Sequence, residues 1–179
     1  MKDILDEKDK RLRIVSKEVE FPLSKEDKKN IDDMIEYLTN SQIEELSEKY
    51  NLRPGMGLSA IQIGVNKRYF VVVDEYEEGK FDNYIIINPK IVSNSMEKIY
   101  VEMGEGCLSV NREVDGIVPR YARVTFTGYD VDGNPIRYRA REELSIAFQH
   151  ELDHLNGILF VDKIDPNNPF KDKDFMREI

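Results

Sequence analysis

Cysteine occurs once and histidine only twice in these 179 residues. A lone cysteine cannot close an intramolecular disulfide, so an apolar core has to hold the fold. No apolar run approaches the ~18 residues of a membrane-crossing helix. The opening stretch, Met1-Lys2-Asp3-Ile4-Leu5-Asp6-Glu7-Lys8, is too charged for a secretory signal. These absences point to a chain that works in the reducing cytoplasm. Positive charge is short as well: 26 Lys and Arg stand against 35 Asp and Glu, a net charge of −9. That balance argues against nucleic-acid binding as the main activity. What is present, 40% hydrophobic and 34% charged residues, fits one globular domain spanning residues 1–179.

The scarce histidines fall together, in Gln149-His150-Glu151-Leu152-Asp153-His154. At about 100° per residue, His150 and His154 share one helix face to within about 40°. Glu151 stands at the shoulder of that face. Two imidazoles one turn apart suit a divalent metal, and the carboxylate beside them suits an activated water. A hydrogen-bonded histidine pair without metal has the same short pattern. Leu144, Ala147, Phe148, Leu152 and Leu155 form an apolar band along the predicted helix, and Gly157 supplies a left-handed stop. A catalytic metal needs a third protein ligand, and Cys107 sits among glycines in Gly104-Glu105-Gly106-Cys107-Leu108-Ser109. Its alternative role is that of a small buried hydrophobe.

Residues 1–20, charged with sparse apolar positions, read as an irregular arm. Ser24-Lys25-Glu26-Asp27 is a capping box, and Ile31, Met34, Ile35 and Leu38 follow at helical spacing. The pattern predicts a helix running on to Tyr50, kinked around 39–41. The glycines of Arg53-Pro54-Gly55-Met56-Gly57-Leu58-Ser59-Ala60-Ile61-Gln62 make a loop that brings backbone close to a ligand, or a tight turn before a strand. Strands are predicted at 69–73, at 84–87 with a stop at Asn88-Pro89, at 98–101 leading into the cysteine segment, at 118–120, and at 123–127. The 123–127 strand pairs across an Asp132-Gly133 turn with 136–139, and a last strand is expected at Ile158-Leu159-Phe160-Val161. The class is α+β: antiparallel sheets around a central histidine helix, with a second helix near the N-terminus.

Taken in order, the glycine loop with Gln62, the segment Glu105-Gly106-Cys107-Leu108-Ser109 and the histidine helix resemble the peptide deformylase family over nearly the whole chain. The first motif departs from the family's usual Gly-x-Gly-Leu-Ala-Ala-Pro-Gln, with Ser59 for an alanine and Ile61 for the proline. The long spacing between the first two motifs and the strand-like C-terminus are similar to the type 2 branch of Gram-positive bacteria. The resemblance implies that Cys107, His150 and His154 ligate Fe2+, replaceable by Zn2+, Ni2+ or Co2+. It implies removal of the formyl group from the N-terminal methionine of nascent chains in a bacterial cytoplasm, with a transient ribosome contact. Glu151 would handle the proton, and Gln62 with the Leu108 N–H would stabilise the oxyanion. Glu105 and Arg120 match a supporting pair beneath the cysteine segment, or form an ordinary salt bridge. Backbone around Gly55–Gly57 and Met103–Gly106 would take the peptide as a strand. Met56, Ile146 and Ala147 would hold the methionine side chain. A zinc peptidase shares the histidine motif, but its third ligand would be sought downstream, where only acids such as Asp162 and Asp165 occur. Glu143, two turns before His150 on the same face, is a carboxylate at the groove rim, a partner of Arg139 or Arg141, or a side chain open to solvent.

Overall fold

The computed structural model describes residues 3–179, so the first two residues of the predicted N-terminal arm lie outside it. The arm is irregular apart from a 3-10 helix at Lys10–Arg13, which buries Leu12 against Ile61 and Leu159. Helix α1 (Lys25–Gln42) starts as its capping box dictates, with the Ser24 hydroxyl accepting from the Asp27 N–H at 3.0 Å. Its apolar face sets Ile31, Met34 and Leu38 into the core. The helix does not run on to Tyr50 with a kink at 39–41. It ends at Gln42, Ile43 is extended (φ −95°, ψ 112°), and a separate α2 spans Glu44–Tyr50. Tertiary contacts fix that break. The Gln42 amide donates to the carbonyls of Gly55 (3.1 Å) and Val73 (3.0 Å), and Ser41 Oγ accepts from the Gly55 N–H.

The strands are β1 (Gly57–Ser59), β2 (Tyr69–Glu77), β3 (Lys80–Asn94), β4 (Lys98–Tyr100), β5 (Arg120–Tyr121), β6 (Arg123–Tyr129) and β7 (Pro135–Arg141). Helix α3 (Glu142–Leu155) and β8 (Arg177–Glu178) follow. Among the described residues β1-β2-β3-β6-β7 form an antiparallel sheet, and β5-β4-β8 form a smaller one whose β4–β8 pair is parallel. Strand β3 does not stop at Asn88-Pro89. Proline lacks the N–H a ladder needs, and the chain accommodates it with a register shift between Ile87 and Lys90 and a left-handed Asn88 (φ 51°). The Asn88 side chain then pairs with the Val19 backbone in both directions, at 2.8 and 3.0 Å.

The strand expected at Ile158–Val161 is absent, and Phe160–Lys163 form a 3-10 helix. Leu159 is buried against Leu12 and Ile61, whereas Phe160 packs with Cys107 and Val118. The Leu159 N–H donates to Asp162 Oδ2 at 2.9 Å and its carbonyl accepts from the Asp162 N–H at 3.0 Å, so backbone groups that a strand would offer to a neighbour are used in the turn. Helix α3 lies against β1, β2 and β7 of the larger sheet and β5 of the smaller. Phe148 anchors it with ring contacts to Phe70 (5.7 Å), Phe126 (5.4 Å), Tyr84 (5.4 Å) and Tyr138 (6.4 Å). Gly157 (φ 74°) stops the helix as predicted, its N–H donating to the His154 carbonyl.

Candidate active site

Two walls meet at the C-terminal half of α3. The helix contributes His150, Glu151 and His154, all buried, with ring centroids of the two histidines 5.0 Å apart. The opposite wall is built from the 53–62 and 103–110 segments. It carries Gln62, on a 3-10 turn (Ala60–Ile63) directly after β1, and Cys107. His154 Nε2 lies 3.2 Å from His150 Nε2 and 3.3 Å from Cys107 Sγ. Among the described residues these three form the one cluster of such donors.

The donor set fits a tetrahedral divalent ion. Metal–nitrogen and metal–sulfur bonds of ordinary length give tetrahedral edges of about 3.3–3.6 Å, close to the observed separations. Protonation agrees. His150 Nδ1 is 2.9 Å from Glu105 Oε2, and an ionised carboxylate can only accept, so Nδ1 carries a proton and Nε2 is the nitrogen that offers a lone pair in the neutral ring. Burial, reinforced by the charges of His150 and Arg120, pushes His154 well below its ordinary value, leaving it neutral. Burial works the same way on His150, but Cys107 and Glu105 outweigh it and raise that group. The pocket around His150 therefore favours positive charge.

The supporting pair read from the sequence is present and larger than expected. Arg120 binds Glu105 through both carboxylate oxygens (2.7 and 2.9 Å), and its third nitrogen reaches Asp153 Oδ2 at 2.6 Å. Lys163 adds a second cation to Asp153 at 3.1 Å. Burial would raise Glu105, but Arg120 and His150 overcome it and hold the carboxyl at about 2. One guanidinium, 2% exposed, so locks the cysteine segment to the histidine helix.

Sequence reasoning missed Arg53 altogether. Its guanidinium donates to the carbonyls of Cys107 (3.2 Å), Leu108 (3.2 Å) and Val110 (3.1 Å), gripping the turn that presents the sulfur. The only available signal was a cation next to a Pro-Gly loop. The Ser109 N–H donates to Cys107 Sγ at 3.4 Å. Gln62 Nε2 stands 3.7 Å from the same sulfur and 3.1 Å from Ser109 Oγ. No acceptor among the described residues takes the Leu108 N–H.

Glu151 is pushed up to about 7 by burial, which His150 and the Ser59 hydroxyl only partly offset. Gly57 is required opposite it, because a Cβ there would stand 2.5 Å from Glu151 Oε1. A cavity of about 380 Å³ opens over these groups, large enough for a side chain and some backbone. Gly55, Met56, Gly57, Gly106, Ile146 and Ala147 all line it, together with Glu143 and Ile179. Each sequence-predicted site residue except Arg120 lies on the wall of this cavity or in the His154–Cys107 cluster beside it; Arg120 is bonded to Glu105 beneath it.

Known proteins similar to this chain are numerous. The model of the polypeptide deformylase family matches residues 1–170. A peptide deformylase of Shouchella clausii is 52% identical over 172 residues, covering 96% of this chain and 94% of the relative. Peptide deformylase 2 of Bacillus subtilis is 48% identical over 172 residues, again 96% and 94% of the two chains. Among solved structures, a peptide deformylase from Legionella pneumophila superposes with a TM-score of 0.76 at 34% identity, over 93% of this chain and 88% of that one. The enzyme from Thermotoga maritima gives 0.72 at 31% identity, over 93% and 99%.

Proposed function

This chain belongs to the peptide deformylase family, in its Gram-positive-like branch, and on that premise we propose how its own residues carry out the reaction. It is a metal-dependent hydrolase that removes the N-formyl group from nascent peptides. Cys107, His150 and His154 hold the ion, Fe2+ with Zn2+, Ni2+ or Co2+ as substitutes; the mixed sulfur and imidazole donors suit this group of metals. When bound, such an ion supplies Lewis acidity, making water a nucleophile near neutral pH and polarising a carbonyl oxygen. The convergence of these three donors beside Glu151 is the observation that carries the reading.

The chain's residues do the rest. Glu151 takes a proton from the attacking water and returns it to the amine as the formyl C–N bond breaks, giving formate and a free N-terminus. The Gln62 amide and the Leu108 N–H, which has no acceptor among the described residues, donate to the oxygen on which charge collects. Both donors sit on the loop wall, opposite the base on the helix wall. Among the described residues strand β1 is an edge of the larger sheet, and with the Ser59 N–H taken by Gln62 its Gly57 end would pair with an extended peptide. Main-chain pairing suits an enzyme that meets many different nascent sequences. Met56, Ile146 and Ala147 supply the apolar pocket for the methionine side chain. Residues 1–179 act as one catalytic domain in the cytoplasm, in transient contact with the ribosome that supplies the substrate. No helix of the described residues is long and apolar enough to cross a membrane.

The test is formate release from formyl-Met-Ala-Ser compared with cleavage of the unformylated peptide by the metal-loaded chain. Formate without internal cleavage is expected. Internal cleavage without formate would instead select the zinc peptidase reading.

A further inference from the structure

We propose that the Ser59 hydroxyl is a positioning group for Glu151, holding its carboxylate for proton transfer. The inference rests on the deformylase reading above and concerns a residue that departs from the family's usual alanine. Ser59 ends β1 and has no exposed surface. Its Oγ lies 2.7 Å from Glu151 Oε2 and 2.9 Å from the backbone carbonyl of the same residue. A buried hydroxyl must be paired, and both of its partners belong to Glu151. Its single proton goes to the nearer acceptor, the carboxylate Oε2, with the carbonyl a weaker second partner, so the carboxylate is held beside the main chain of its own helix.

That tie matters because the last torsion of a glutamate is broad and nearly unrestrained by rotamer preference. With Oε2 held by Ser59 and Gly57 packed against the carboxylate, Oε1 is left without a hydrogen-bond partner among the described residues. Oε1 is then the oxygen available to the reacting water. The Ser59 backbone acts on the other wall: its N–H donates to Gln62 Oε1 at 2.9 Å, which turns the Gln62 amide nitrogen toward Cys107 and Ser109. Any residue but proline at position 59 supplies that N–H. Only a hydroxyl supplies the bond to Glu151, so the two functions separate by substitution.

The experiment uses the metal-loaded full chain and compares the parent with Ser59→Ala, Ser59→Cys, Ser59→Thr, Glu151→Gln and the double variant Ser59→Ala/Glu151→Gln. Formate release, metal content and thermal midpoint are measured on each. Ser59→Ala is expected to lower kcat about tenfold with KM within about twofold and metal content unchanged. Ser59→Thr, which keeps the hydroxyl, should recover to within about threefold of the parent, and Ser59→Cys, a weak donor of similar size, should track the alanine variant. In the Glu151→Gln background Ser59→Ala should change the residual rate by less than about twofold, because the group it positions is already lost. An equal loss in both backgrounds would make Ser59 a structural tie between β1 and α3 and overturn the proposal. So would an unchanged kcat in Ser59→Ala. A parent that releases no formate would sink the deformylase reading itself, a failure visible before any variant is compared.

Discussion

The two walls of the site solve the same problem by different means. The helix wall places His150, Glu151 and His154 through one regular element, α3, whose position is set by Phe148 inside an aromatic cluster. The loop wall has no such element. Cys107, Leu108 and Gln62 are placed by side-chain clamps: Arg53 on three carbonyls, Arg120 on Glu105, and the Ser59 N–H on Gln62. Local periodicity positions one wall; polar bonds, two of them between distant segments and one the local Ser59–Gln62 cap, position the other. A regular helix tolerates change at many of its residues, whereas a clamped loop depends on a few buried donors.

The largest effects should come from breaking either wall at the ion. Cys107→Ala from the loop wall and His150→Ala or His154→Ala from the helix wall should each lose tightly bound metal and about 10³-fold or more of activity. Metal analysis with formate release checks this, and a Cys107→Ala protein that keeps metal and activity would remove the loop wall from the site. One step smaller, Glu151→Gln and Gln62→Leu test the reacting groups that face each other across the cavity. Both should retain metal; Glu151→Gln should lose nearly all turnover, and Gln62→Leu about 10²–10³ in kcat. A Gln62→Leu enzyme within about threefold of the parent would demote that amide to loop packing.

Arg120 joins the walls, so its loss sharpens the comparison. Arg120→Met leaves two buried carboxylates, Glu105 with only the His150 Nδ1–H and Asp153 with only Lys163. Removing one member of such a buried network costs about 3–5 kcal/mol, and loosening the Glu105–His150 bond should weaken metal affinity about 10–100-fold. Denaturant unfolding and a competitive metal titration measure the two parts. By contrast Phe148→Ala, costing a similar ~3–5 kcal/mol from the helix wall, should lower stability with a smaller change in metal affinity. Equal changes in affinity for the two variants would erase the distinction between a clamped wall and a packed one.

What the chain made legible follows the same division. The histidine helix, its Gly157 stop and the Ser24-capped α1 are local, and their residues announce them. Arg53, the Asp153 branch of the Arg120 network and the Ser59–Glu151 bond join residues 33 to 92 positions apart, and no local pattern marks them. The errors have the same origin. Proline at 89 signals a strand end, yet a register shift and the Asn88–Val19 pairing carry β3 onward. The apolar run 158–161 signals a strand, but Asp162 beyond its end bonds both the N–H and the carbonyl of Leu159 and closes a 3-10 turn there. The end of α1 was misplaced because its cause, a glutamine amide bonded to Gly55 and Val73, lies on other elements.

The smallest expected effect lies at the rim of the helix wall. Glu143 is exposed, lines the cavity two turns above His150, and forms no salt bridge with Arg139 or Arg141 among the described residues. Its negative charge is instead near Asp74, which burial, then Asp82, then Glu143 push above the ordinary carboxylate value. Negative charge at the rim raises the local concentration of cationic substrate segments, and the effect is screened over roughly 10 Å at 0.1 M salt. Peptides with lysine after the formyl-methionine should therefore have a higher kcat/KM than those with glutamate, by about two- to fivefold at low salt. In Glu143→Gln the ratio should move toward unity, and in the parent it should shrink as salt is added. The comparison needs formyl-Met-Lys and formyl-Met-Glu peptides, both proteins and two ionic strengths. A ratio unmoved by the substitution at low salt would leave Glu143 a solvated surface residue, and the helix wall would then contribute chemistry but no charge selection.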